Sequence, residues 1–209
     1  MKPLLTPFNE QDVELLHTDQ LYRGIFTLVR HHIKHRKFNG EWSNTFTREL
    51  LERKSAVGVL LYDPTLDKVI LIEQFRAGAL GREPCPWLLE VVAGVYDSNE
   101  APAEVAEREA LEEAGSKILD LEPICEYFVS PGGSNEYLHL FCGRIDASNA
   151  GGVHGLLEEH EDIRAFTLSS DEAFAYLQDG HIKTSPAIIS LLWLQQHRER
   201  LKQLWQTTQ

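Results

Sequence analysis

The apolar positions of this chain fall mainly into short runs separated by turn residues, which predicts strands first and helices second. Two runs rich in β-branched and aromatic residues, FTLVRHHIKHRKF and EWSNTFTRELLER, flank Asn39-Gly40, the strongest short signal for a hairpin turn. Residues 1 to about 54 are therefore expected to form a small antiparallel unit, and 55–209 the main domain. SAVGVLLY and KVILIEQFR are almost continuously apolar and read as buried strands joined by the turn-rich DPTLD. PWLLEVVAG is a further strand. LEPICEYFV and EYLHLFCGRI flank a turn at SPGGS, and DIRAFTL follows a glycine-rich loop between Gly151 and Gly155.

Helical spacing is confined to three places. Ser169 and Glu172 form a capping box for a short helix ending near Gly180. SPAIISLLWLQQHRERLKQLW has apolar residues at helical intervals and Pro186 near its first turn, predicting a long amphipathic helix. The third lies inside GVYDSNEAPAEVAEREALEEAG: Pro102 suits a first helical position and Gly115 the left-handed residue past the end, giving a helix from about Ala101 to Ala114.

That third helix carries the chemistry. Glu109, Glu112 and Glu113 share a sector with Val105 and Ala106 one turn earlier, so they continue the stripe aimed at the protein body. Like charges three and four apart cost a few tenths of a kcal/mol per pair, and half-buried carboxylates raise one another's pKa unless a cation compensates. A hard divalent ion does so, because Mg²⁺ prefers carboxylate oxygens and retained waters.

Composition narrows the partners. A formal net charge of -12 over 209 residues argues against nucleic acid and anionic membranes, both of which require a basic field. Cys85, Cys125 and Cys142 form no C-x-x-C pair and read as buried free thiols in a reducing compartment. The start MKPLLTPFNEQD lacks the apolar core of a signal peptide, and no apolar run approaches the roughly 18 residues of a membrane span. A cytoplasmic protein is expected. The histidines of RHHIKHRK alternate between the faces of a strand and do not converge on an ion. SPGGS lacks the G-K-[ST] of a P-loop.

The helix and its approach resemble the Nudix box: a glycine, five residues, Glu, seven residues, then R-E-x-x-E-E-x-G. Gly94, Glu100, Arg108, Glu109, Glu112, Glu113 and Gly115 fill every fixed position. Ala110, Ser116, Asn99 and Ala101 depart at variable ones; Ala101 forfeits about 1 kcal/mol of capping. The resemblance implies an α+β fold, a Nudix α/β/α sandwich with a mixed sheet, here preceded by an amino-terminal antiparallel β-hairpin subdomain. It also implies Mg²⁺-dependent hydrolysis of a nucleoside diphosphate linked to another group, with Mn²⁺ able to substitute and two or three ions per site. Glu109 and Glu113 would ligate metal together with the Ala93 carbonyl, Glu112 would be a further ligand or catalytic carboxylate, and Arg108 would brace Glu100.

Three features resemble the ADP-ribose pyrophosphatases within that family. Pro131 lies sixteen residues past Gly115, LIEQFR precedes the box, and an amino-terminal hairpin is added. In that class an acidic loop supplies the general base and another ligand, which GLLEEHEDIR matches with Glu159 as base and Glu161 as ligand. Substrate contacts would fall on Phe26, Arg48, Glu49, Arg53, Arg76, the Val95 backbone and Glu136, with Ile25 standing where an aromatic is usual. The class pairs amino-terminal units across a homodimer. The expected activity is hydrolysis of ADP-ribose to AMP and ribose 5-phosphate. The alternatives are another nucleoside diphosphate sugar, such as ADP-glucose or GDP-mannose, or a non-hydrolysing nucleotide-sugar sensor.

Overall fold

The computed structural model describes residues 7–82, 85–95, 100–156, 158 and 160–206. The chain divides into two compact units, Met1–Lys54 with Phe128–Glu136, and Ser55–Tyr127 with Tyr137–Gln209.

The first unit is a three-stranded antiparallel meander, β1 (Val13–Arg23), β2 (Thr27–His35) and β3 (Phe46–Glu52), in that order. Strands β2 and β3 pair from Thr27 opposite Glu52 to Ile33 opposite Phe46, and a bridge from Arg36 to Trp42 continues them toward Asn39-Gly40. Gly40 takes the left-handed backbone (φ 85°) such a tip needs. The unit therefore holds one strand more than a hairpin. Strand β1 exposes every residue except Asp19, which is half-buried. Polar pairs help fix it: across to β2 the His32 ring bonds an Asp19 oxygen at 2.8 Å and His31 meets the Thr18 hydroxyl at 2.9 Å, while within β1 the His17 ring bonds the other Asp19 oxygen at 2.8 Å. Residues 128–136 join this unit because the Leu51 N–H donates to the Gly133 carbonyl (2.9 Å) and the Arg53 N–H to the Asn135 side chain (2.7 Å).

The second unit is built on a mixed sheet ordered β10 (Gly152–His154), β11 (Ile163–Ser169), β5 (Lys68–Phe75), β4 (Ala56–Asp63), β9 (Tyr137–Arg144), β8 (Asp120–Phe128). Strand β4 runs parallel to β9 and antiparallel to β5. All eight β4 residues are buried, as a strand covered on both faces requires. Helix α1 (Pro102–Ala114) packs on one face through Val105, Ala106, Ala110 and Ala114. Helices α2 (Ser170–Gln178) and α3 (Ser185–Gln206) belong to the opposite face, with Ala173, Phe174, Leu191, Leu194, Leu201 and Trp205 in its core. The capping box of α2 is formed as the sequence predicts, Ser169 Oγ accepting from the Glu172 N–H.

One feature of this sheet positions the chemistry. Strands β4 and β5 pair only near their turn, from Leu61 opposite Ile70 to Asp63 opposite Lys68. Beyond that point they part, and PWLLEVVAG enters the fork as two strands instead of the single one expected. Strand β6 (Trp87–Glu90) pairs with β5, then β7 (Val92–Val95) pairs with β4. The change of partner occurs across Val91, which is itself buried.

Of the three thiols, only Cys142 is buried; Cys125 is half-buried and Cys85 exposed, so the expectation of three buried cysteines holds for one. Among the described residues no helix is long and apolar enough to cross a membrane.

Candidate active site

Strand β7 carries Ala93 and Gly94 to positions opposite Gly58 and Val57 of β4, where α1 crosses. The helix stops as expected: Gly115 is left-handed (φ 59°), its N–H reaches the Leu111 carbonyl, and the Ser116 N–H reaches the Ala110 carbonyl, the paired bonds of a Schellman end. At the other end Ala101 offers no side-chain cap, but the Glu104 carboxylate accepts from the Ala101 N–H at 3.1 Å.

The three box carboxylates are buried to different depths. Glu113 is 3% exposed and accepts from the Ala93 N–H at 2.9 Å. The Glu109 side chain is 13% exposed and that of Glu112 is 29% exposed. Gly94 is required by proximity: a β-carbon there would fall within the Glu109 carboxylate. Gly94→Ala is therefore expected to displace Glu109 and weaken divalent-ion affinity while leaving the fold intact, measured by Mn²⁺ titration alongside thermal melting; unchanged affinity would refute this role.

Burial pushes the Glu113 carboxyl up to about 8, and neighbouring Glu109 and Glu161 add to the rise, against the Ala93 N–H and Arg76, which lower it. Glu109 is raised as well, chiefly by burial, with Glu112 and Glu161 contributing and Arg108 opposing. The Arg108 Nη1 donates to both Glu109 (2.8 Å) and Glu112 (3.0 Å), while its Nε lies farther, at 3.9 Å, from Glu100. The expected brace on Glu100 is thus the weakest of its three ion pairs.

The second acidic segment meets this helix. The Gly155 N–H donates to the Glu112 carbonyl (3.2 Å), and Glu161 closes the loop by accepting from the Leu156 N–H (3.1 Å) and donating its own N–H to the Leu156 carbonyl. Glu159 lies outside the described residues, as does Asn99. The oxygen-only donor set and the raised Glu109 and Glu113 suit a hard divalent cation, which would replace the protons that burial favours. Among the described residues no three acidic, histidine or cysteine side chains are already gathered at ligating distance.

The expected substrate residues are distributed over both units. In the first, Phe26, Arg53 and Glu136 come together: the Arg53 guanidinium lies 4.9 Å from the Phe26 ring centre and 3.2 Å from Glu136. Arg48 and Glu49 do not join each other, because neighbours on a strand face opposite ways; Arg48 lies over Phe46 at 4.6 Å and Glu49 pairs with Arg30 at 2.6 Å. Ile25 is almost wholly exposed. In the second unit Val95 ends β7, half-exposed, and Arg76 follows β5.

Arg76 also reveals residues that sequence reasoning missed. Its Nε and Nη2 donate to Glu90 at 3.1 and 2.7 Å, and the buried Gln74 side chain donates to the same oxygen at 3.3 Å. A single carboxylate within the apolar run PWLLEVVAG was the available signal, since glutamate is rarely buried unless paired.

A model of the NUDIX domain matches residues 52–188. The chain belongs to the Nudix family. It is 41% identical over 207 residues to the ADP-ribose pyrophosphatase of Escherichia coli strain K12, covering 98% of this chain and 99% of that one. It is 34% identical over 151 residues to the GDP-mannose pyrophosphatase of Yersinia enterocolitica, covering 72% of this chain and 78% of that one. A crystal structure of an ADP compounds hydrolase superposes with a TM-score of 0.66 at 19% identity, over 90% of this chain and 96% of the other. The fold is thus the expected Nudix sandwich with an added amino-terminal sheet. Family and relatives together make the chain a Nudix hydrolase.

Proposed function

We propose that this Nudix hydrolase cleaves the pyrophosphate bond of ADP-ribose, giving AMP and ribose 5-phosphate, with Mg²⁺ as cofactor and Mn²⁺ as a substitute. The observation that carries the reading is the buried Glu113, raised to about 8 beside Glu109 and Glu161: a site deficient in positive charge, in a chain that aligns end to end with an ADP-ribose pyrophosphatase. Glu109, Glu113, Glu161 and the Ala93 carbonyl would hold two or three ions, with Glu112 as a further ligand. Bound there, Mg²⁺ would neutralise phosphate oxygens and acidify a water.

The chain's own residues supply the rest. Ala93 holds Glu113 in place through its N–H, and Arg108 keeps Glu109 and Glu112 together. Glu159 takes the proton of the attacking water, the role a general base plays from within hydrogen-bond reach. Arg76, Phe26, Arg48, Glu49, Arg53, Glu136 and the Val95 backbone bind the nucleotide and sugar, guanidinium groups matching phosphate oxygens two at a time. The amino-terminal sheet would pair two copies in the cytoplasm; Val13, Leu15, Leu16 and Tyr22 of β1 are each at least half exposed, which is unusual for an unpartnered strand.

The Yersinia relative favours one other reading, a different nucleoside diphosphate sugar. Steady-state turnover of ADP-ribose, ADP-glucose and GDP-mannose decides between them. ADP-ribose is expected to show the highest kcat/KM, activity to vanish with EDTA, and Mg²⁺ or Mn²⁺ to restore it. Faster use of GDP-mannose would overturn the assignment, and binding without turnover would make the chain a sensor.

A further inference from the structure

Arg76 is built to present one particular edge. Its Nε and Nη2 form a side-on pair with Glu90, leaving Nη1 and the second hydrogen of Nη2; among the described residues no acceptor engages Nη1. Glu90 is fixed in turn. It closes β6 opposite Ile72, its side chain is 11% exposed, and Gln74 donates to the oxygen that Arg76 Nη2 uses. Ile72 and Gln74 share the face of β5 that looks toward α1, and Arg76 follows directly after the strand in extended backbone. The fork between β4 and β5 holds this group rigidly, since β6 pairs with β5 along its whole length and the Arg76 N–H donates to the Pro86 carbonyl at 2.8 Å.

We propose that Glu90 is a positioning residue for the reaction: it locks the Arg76 guanidinium so that its free edge meets the diphosphate of the substrate. A loose arginine must surrender rotamer freedom on binding, whereas one held by a buried carboxylate has already done so. The pair is electrically neutral, so Arg76 contributes directed hydrogen bonds more than net positive charge, which leaves charge neutralisation to the metal. The inference rests on Arg76 contacting substrate, as proposed above.

A double-mutant cycle on the full chain with saturating Mg²⁺ tests it. Arg76→Ala and Glu90→Ala are each expected to raise KM for ADP-ribose about 10-fold with a smaller change in kcat, and the double variant to be no worse than either, because both remove one shared interaction. Glu90→Gln, which keeps shape but loses the charge-assisted bonds, should give a rise of about 3-fold. Guanidinium ion at tens of millimolar should partly rescue Arg76→Ala while Glu90 is present and fail in the double variant. Should Glu90→Ala not fold, Glu90→Gln carries the same cycle. Multiplying effects, an unchanged KM in both Glu90 variants, or rescue independent of Glu90 would overturn the proposal. An unchanged KM in Arg76→Ala would instead remove Arg76 from the substrate site, and the proposal with it.

Discussion

Glu113→Gln is expected to abolish turnover and, in the same protein, to raise the thermal stability of the metal-free form at neutral pH. The Glu113 side chain is 3% exposed on the inner face of α1 and its carboxyl is pushed up to about 8, first by burial and then by Glu109 and Glu161. The sign follows from linkage. An unfolded glutamate loses its proton near 4.3 or 4.5, so between there and about 8 the folded chain holds a proton that the unfolded chain has released, and stability falls as pH rises across that window. At pH 7 the penalty is on the order of 3 kcal/mol. Glutamine removes the titration yet keeps an oxygen for the Ala93 N–H, so most of that penalty should disappear. In a chain of this size that corresponds to roughly 6–12 °C in Tm. Divalent ion should reverse the order, because a cation that binds only the folded wild type stabilises it by mass action. Melting curves of both proteins with EDTA and with Mg²⁺ check the claim. Wild type more stable than the variant in EDTA at pH 7–8 would refute it.

Such a residue is where sequence alone was most informative, because the box is local. Seven fixed positions within one loop and helix fall at the spacing that puts acidic side chains on the buried stripe, and α1 begins and ends within one residue of the expected bounds. Strands β4, β5, β8, β9 and β11 were legible for the related reason that each is a run of apolar residues bounded by turns. Strand β1 was not legible: VELLHTDQLYR has no buried face, so no period is written into it, and its place is set by pairing with β2. The division of PWLLEVVAG was hidden because both β6 and β7 are apolar and the break at Val91 is a change of partner, which leaves no composition signal. The recruitment of residues 128–136 to the first unit was hidden as well, since it depends on bonds from Leu51 and Arg53 to residues some eighty positions away. Glu90 and Gln74 show the same limit at the site: a lone buried carboxylate announces a partner without saying which one.

Asp67→Ala should be the most destabilising single change outside the site. Asp67 ends the DPTLD turn in a left-handed backbone (φ 55°) that alanine tolerates poorly. Its carboxylate receives Nε and Nη2 of Arg198 and Nζ of Lys202 (3.1 Å) from α3, the hydroxyl of the fully buried Tyr62 (2.9 Å) from β4, and that of Ser170 (3.0 Å) from the first turn of α2. Removing it takes the shared acceptor from Arg198, Lys202 and the buried Tyr62 phenol at once, leaving Arg198 to Asp171 and Lys202 to Glu199, a loss of about 2–4 kcal/mol for a half-buried network. Asp67→Asn retains the backbone preference and an acceptor for Tyr62, so it should cost distinctly less, which separates the charge from the geometry. Burial alone would raise the Asp67 pKa, but donation from Arg198, Lys202, Tyr62 and Ser170 outweighs it and holds the carboxyl well below the usual carboxylate range. Its contribution is therefore complete above about pH 4, the unfolded value, and is lost as pH falls toward the folded one. Urea unfolding from pH 7 down to pH 3 should show the wild type losing stability more steeply below pH 4 than Asp67→Asn. Parallel acid limbs would mean that the network does not depend on the charge, and a melting point of Asp67→Ala equal to wild type would mean that the three elements are not held through this carboxylate.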